Sequence, residues 1–224
     1  MASDTWTSVD TYFAEMAVRP DPSYQALQDA SIAAGLPDIA ISAAEGKQLH
    51  LMAKMSGARR ILEIGTLGGY STIWMARALP AGGELITLEI DAMHAEVARK
   101  NVERAGVGDR VKVLVAPAAE SLATLEADGV EPFDLVFIDA DKASSAIYFQ
   151  AALRLSRPGS LIIVDNVVRK GAVVDAATTD VNIRGIREVT ELLARETRVS
   201  ATAVQTVGSK GYDGFILARV VERG

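Results

Sequence analysis

Between residues 61 and 165 short apolar runs alternate with segments of helical spacing, and this alternation narrows the fold more than any other feature of the chain. The runs at 61–64, 84–89, 111–115, 133–139 and 160–165 read as strands, and the segments at 70–79, 93–105, 119–127 and 144–155 between them read as helices. Runs such as LVFI and LIIV are apolar on both faces, which implies a parallel sheet covered by helices on both sides. The ending differs. After a helix bearing Ile183, Ile186, Val189 and Leu193, strands at 199–204 and 215–220 are separated only by a polar, glycine-bearing loop. That loop is too short for a helical crossover, so these two strands should be antiparallel neighbours.

Three helices are expected ahead of the sheet. Val9, Tyr12, Phe13 and Met16 share one face of the first; Tyr24 and Leu27 open the second after Asp21-Pro22; Leu49, Met52 and Met55 line the third, which Ser42 and Glu45 start as a capping box and Gly57 closes. They form a helical cap over 1–57 on an α/β core over 58–224, one domain in all. The cap covers one end of the sheet, closes over a ligand or forms a dimer surface. With 29 acidic against 23 basic residues and a net charge of -6, the chain lacks the basic face that nucleic acid requires, and a small substrate is favoured. Cysteine is absent, which excludes disulfides and thiolate metal sites. The start MASDTWTSVD has no signal-peptide pattern and no apolar run approaches membrane-spanning length, so a cytoplasmic protein is expected.

The turn after the first strand, IGTLGGYS, brings glycine backbone at Gly65, Gly68 and Gly69 to the carboxyl edge of the sheet, where ligands of such folds bind. The dinucleotide fingerprint G-x-G-x-x-G fails because Leu67 stands where its second glycine belongs, and no Gly-Lys-Ser/Thr follows for a P-loop. Glu63-x-Gly65 with a further glycine pair and Ser71 resembles the first motif of S-adenosylmethionine-dependent methyltransferases. Glu89 ends the second strand, where a carboxylate can accept hydrogen bonds from both ribose hydroxyls. The fourth strand ends FIDADK and the fifth VDN. If these strands are neighbours, Asp139, Asp165 and Asn166 project into one cleft as hard oxygen donors that suit Mg²⁺ or a similar cation. Each acid alone would more often be a turn or cap residue.

Taken together, LEIGTLGGYS, Glu89, APAAESL, FDLVFIDADK, RPGSLIIVDNV and YDGFILAR resemble, in that order, the cation-dependent O-methyltransferases that include the catechol and caffeoyl-CoA enzymes. The likeness runs from about Ile41 to Arg219. It implies a Rossmann-like methyltransferase fold, a seven-stranded, mostly parallel sheet with the last strand antiparallel. It further implies that Glu63, Gly65, Thr66 and Ser71 surround the methionine and ribose part of S-adenosylmethionine, with Glu89 on the ribose, Ala118 at the adenine and Ile41 lining the pocket. Asp139 would serve both the cation (Mg²⁺, Mn²⁺ or Ca²⁺) and the cofactor amine, Asp165 and Asn166 would complete the metal ligands, and Lys142 would be the base. Related enzymes are homodimers, which is the expected state. There are departures. Val168, Arg169 and Lys170 stand where the plant caffeoyl-CoA enzymes carry an aromatic residue, Thr190 stands where many relatives have asparagine, and TVGSKGYDG has no acid before Asp213 to match the catalytic glutamate of the catechol enzymes.

The reaction so implied is methyl transfer to one hydroxyl of a vicinal diol on an aromatic ring. A phenol, with a pKa of about 10, is a poor nucleophile near neutrality. A cation favours its phenolate and fixes both oxygens, and Lys142, its charged form disfavoured beside that cation, can accept the proton. Two alternatives share the fold. An NAD-dependent oxidoreductase would need the missing second glycine, and a non-catalytic interaction protein would have no use for Asp139, Lys142, Asp165 and Asn166 together.

Overall fold

The computed structural model describes residues 2–221; Met1 and residues 222–224, which the expected domain range includes, lie outside it. Its centre is one seven-stranded sheet in the order β3-β2-β1-β4-β5-β7-β6. The strands are β1 (Arg60–Ile64), β2 (Glu84–Glu89), β3 (Val111–Val115), β4 (Phe133–Ile138), β5 (Ser156–Asp165), β6 (Val199–Gly208) and β7 (Gly211–Val220). β1 to β5 pair in parallel and β7 runs antiparallel to both β5 and β6, as the sequence pattern requires. The strand order reverses between β1 and β4, so the carboxyl ends of these two strands flank the crevice where such sheets bind ligands.

Successive residues of a strand face opposite sides, and the core divides accordingly. Leu62, Val136 and Ile162 pack on one face with Phe149 and Ile186. Ile61, Leu135 and Ile163 pack on the other with Trp74 and Leu85. Phe149 is fully buried, and its truncation to alanine would cost about 3–5 kcal/mol. The helices are α1 (Ala2–Phe13), α2 (Ser23–Ala33), α3 (Ala43–Met55), α4 (Tyr70–Ala76), α5 (Ala92–Arg104), α6 (Ala118–Ala127), α7 (Ser145–Arg154) and α8 (Val181–Leu193). No described helix is long and apolar enough to cross a membrane.

Some expectations needed correction. The segment around Gly208, Gly211 and Gly214 is not a loop: β6 and β7 stay paired from Val199↔Val220 to Gly208↔Gly211, and only Ser209 and Lys210 turn the hairpin. Glycine there allows close strand approach, since a Cβ on Gly214 would lie 2.2 Å from the Val204 carbonyl oxygen. β5 likewise begins at Ser156, ahead of Pro158 and Gly159, with a register shift against β4 that accommodates them. α4 stops at Ala76, short of Leu79, as Pro80 follows. In the cap, Tyr24, Leu27 and Leu49 are buried and the Ser42/Glu45 capping box forms in both directions. The stripe is helical and its face is open: Val9, Tyr12 and Phe13 of α1, and Met16 of the π-helical turn Ala14–Val18 that follows it, are 47–59% exposed. Helical spacing dictates a stripe, and about half of its surface stays open to solvent among the described residues.

Candidate active site

β1 leads straight into the glycine turn. Gly65 has φ +101°, and a Cβ there would sit 2.2 Å from the Asp139 carbonyl oxygen, so only glycine lets β1 and β4 end this close together. Directly beneath, the fully buried Glu63 accepts hydrogen bonds from the hydroxyls of Ser71 (2.5 Å), Thr87 (2.7 Å) and Thr72. Burial pushes its carboxyl up to about 7, with the Asp139 charge adding to it and the three hydroxyls opposing. Glu63 therefore lies under the wall of the site and reaches it through Ser71.

Glu89 is the post to which the turn is tied. One carboxylate oxygen accepts from the backbone N–H groups of Leu67 (2.8 Å) and Thr66 (3.3 Å), the other from those of Ile90 (2.9 Å) and Asp91 (3.0 Å). Four fixed donors hold the carboxylate at the edge of the cavity and support Leu67 in left-handed backbone at φ +49°. The His94 ring nitrogen stands 3.8 Å away.

A cavity of ≈ 980 Å³ opens over these strand ends, large enough for a nucleoside-sized cofactor and an aromatic acceptor together. Its walls bring together Ile41, Gly65, Thr66, Ser71, Glu89, Ala118, Asp139, Lys142, Asp165 and Asn166. Glu63 alone of the expected site residues is absent from them. β4 and β5 are neighbours, as the metal reading demanded, and Asp139 follows the first while Asp165 ends the second. Lys142 is buried and its Nζ donates to Asp139 Oδ1 at 2.7 Å. The Asp165 carboxyl is pushed well above the usual range by burial and then by the facing Asp139 charge; Lys142 opposes this and Glu45 adds to it. Among the described residues no three His, Cys, Asp or Glu side chains converge into a metal cluster. The donor set here is two carboxyl groups and an amide oxygen, and a bound divalent cation would offset the burial and the Asp139 charge that oppose ionisation of Asp165. The residues fit such a cation.

Other wall residues escaped the sequence reading. Tyr148 donates its hydroxyl to Asp141, and burial followed by that hydrogen bond pushes its phenol up to about 12. Asp141 belongs to the IDADK run, so its partner one turn into α7 was within reach of helical spacing. Arg169 and Asp213, from two stretches already singled out in the sequence as departures from the family pattern, also line the cavity. At the rim, Asp10 of α1 accepts from the Ser209 N–H of the β6–β7 turn at 2.7 Å, a contact across 199 residues that no local pattern announces.

A family model described as O-methyltransferase matches residues 14–221. A catechol O-methyltransferase of Mycobacterium tuberculosis is 51% identical over 212 residues, 95% of this chain and 94% of that protein. One of Niastella koreensis is 47% identical over 220 residues, 98% of this chain and 100% of that protein. Among solved structures, the O-methyltransferase from Bacillus cereus in complex with SAH is 52% identical, with a TM-score of 0.96 over 97% of this chain and 99% of that one. The sheet is thus a Rossmann-like methyltransferase fold.

Proposed function

The chain belongs to the O-methyltransferase family, and from that premise we propose that it moves the methyl group of S-adenosylmethionine to one hydroxyl of a vicinal diol on an aromatic ring, with a divalent cation at the acceptor. Transfer from S-adenosylmethionine to oxygen is what the relatives' names and the SAH of the Bacillus cereus enzyme share, SAH being the donor after loss of its methyl group. Two of those relatives are named for catechol, a vicinal diol. The observation that carries the finer reading is that Asp139, Lys142, Asp165 and Asn166 share one cavity with the glycine turn, at the ends of adjacent strands.

Ile41, Gly65, Thr66, Ser71 and Ala118 enclose the donor, Glu89 takes its ribose hydroxyls, and Glu63 acts by fixing Ser71. Asp139, Asp165 and Asn166 hold the cation, and Asp139 also faces the donor's amine. When bound, the cation would lower the acceptor's pKa and hold both of its oxygens. Lys142, fixed by Asp139 and shielded from bulk water, accepts the acceptor's proton. Much of the remaining rate comes from holding donor and acceptor in line in the cavity. The open α1 stripe supports a homodimer, and the net charge of -6 supports a small-molecule partner over nucleic acid. A methyl-donor assay over catechols, hydroxycinnamates, their CoA thioesters and flavonoids, each beside its monophenol, tests the reading. Turnover confined to the diols supports it, and turnover of the monophenols alone contradicts it.

A further inference from the structure

Resting on the cation reading above, we propose that Asp213 is a positioning residue for the metal ligands: it fixes the loop that follows Asp165 and so sets the direction of Asn166. This loop leaves β5 through backbone that L residues avoid. Asn166 has φ +56°, which asparagine tolerates and the Asp165 carboxylate supports by accepting its N–H at 2.8 Å, but Arg169 at +52° and Lys170 at +56° adopt what such side chains rarely do. Something outside the loop must hold it there. Asp213 of β7 does so with one oxygen: Oδ1 accepts the backbone N–H groups of Val168 and Arg169, each at 3.0 Å, along with that of Gly214 at 3.0 Å. The next residue completes the clamp, because the Val167 N–H donates to the Gly214 carbonyl at 2.9 Å. Val167 and Val168 are buried, so the loop is pinned immediately after Asn166, while Asn166 and Asp213 face the same cavity.

The clamp works by position: an oxygen at the Oδ1 location meets two adjacent N–H groups, and a charge elsewhere does not. Asparagine retains such an oxygen, whereas glutamate keeps the charge and displaces it by one methylene. The test measures MnCl₂ binding by electron paramagnetic resonance, and S-adenosylmethionine binding by calorimetry, on the full chain and on Asp213→Ala, Asp213→Asn and Asp213→Glu. Groups that orient metal ligands typically cost 10–100-fold in affinity when removed. The alanine and glutamate variants should therefore bind Mn²⁺ at least about tenfold more weakly, the asparagine variant should bind nearly as the parent, and all should bind S-adenosylmethionine unchanged. If the alanine variant does not fold, the order of asparagine and glutamate decides. Glutamate binding Mn²⁺ better than asparagine overturns the proposal, since charge would then be what matters. Variants that melt at lower temperature and bind Mn²⁺ as the parent does overturn it too, leaving Asp213 a purely structural group. Failure of the parent chain to bind Mn²⁺ would remove the cation reading itself, and this inference with it.

Discussion

Replacing Glu63 with glutamine should remove a loss of stability that the parent suffers as pH rises from about 4.5 to about 7, and the size of the effect follows from its burial. Glu63 has no solvent exposure, and its carboxyl stands at about 7 against an ordinary 4.5. A difference of that size corresponds to roughly 3 kcal/mol between the two protonation states. The folded state holds the proton where the unfolded chain has released it, so this contribution is full below about 4.5 and is lost as pH rises through about 7. Above that range an ionised carboxylate sits in the core, compensated only by the hydroxyls of Ser71, Thr72 and Thr87. Glutamine is neutral at every pH and offers one oxygen and two N–H groups to hydroxyls that can rotate to suit. Urea unfolding of both proteins across this range should show the glutamine variant gaining about 3 kcal/mol on the parent from the acid to the alkaline end. Titrating groups remote from Glu63 cancel in the difference. Parallel stability curves for the two proteins would refute the reasoning, since Glu63 would then titrate in the folded protein as it does in the unfolded chain.

Glu89→Ala should weaken S-adenosylmethionine binding by tenfold or more, because each charge-assisted hydrogen bond is worth about 1.5–3 kcal/mol. It should also lower the melting temperature without ligand, since the N–H groups of Thr66, Leu67, Ile90 and Asp91 lose their acceptor. Calorimetry showing unchanged affinity in a folded variant contradicts the ribose assignment. Sedimentation should give a dimer at micromolar concentration, and Met16→Glu, on the open stripe just beyond α1, should shift it toward monomer; a 23.7 kDa species alone in the parent removes the dimer.

The parallel part of the sheet was legible because period and composition act locally: an apolar run between helical segments has few other ways to bury both faces. The strand-end acids were legible for the same reason, since strand ends in such a sheet all open on one edge. What local pattern misled was the β6–β7 hairpin. Its glycines read as a break, and they act in the ladder, where Gly214 gives room to the Val204 carbonyl. What local pattern could not carry was contact at long range. Asp213 reaches Val168 and Arg169 across more than forty residues, Asp10 reaches Ser209, and the four donors around Glu89 come from two separate turns. Glu63 illustrates a different limit. Its place in the motif tied it to the site, whereas its burial makes it a brace for Ser71 and leaves the cavity wall to its neighbours.

The most direct measurement compares turnover of a catechol and its matching monophenol by chelator-treated protein, before and after Mg²⁺ or Mn²⁺ is restored, with Asp165→Ala alongside. The account predicts that chelation abolishes methylation of the catechol, that the cation restores it, and that the monophenol, with one oxygen to offer, stays far slower throughout. Asp165→Ala should be inactive yet bind S-adenosylmethionine nearly as the parent does, and Asp139→Ala should lose both activity and donor affinity. Equal and undiminished rates on catechol and monophenol in the metal-free protein would contradict it, leaving Asp139, Asp165 and Asn166 as ordinary polar strand ends.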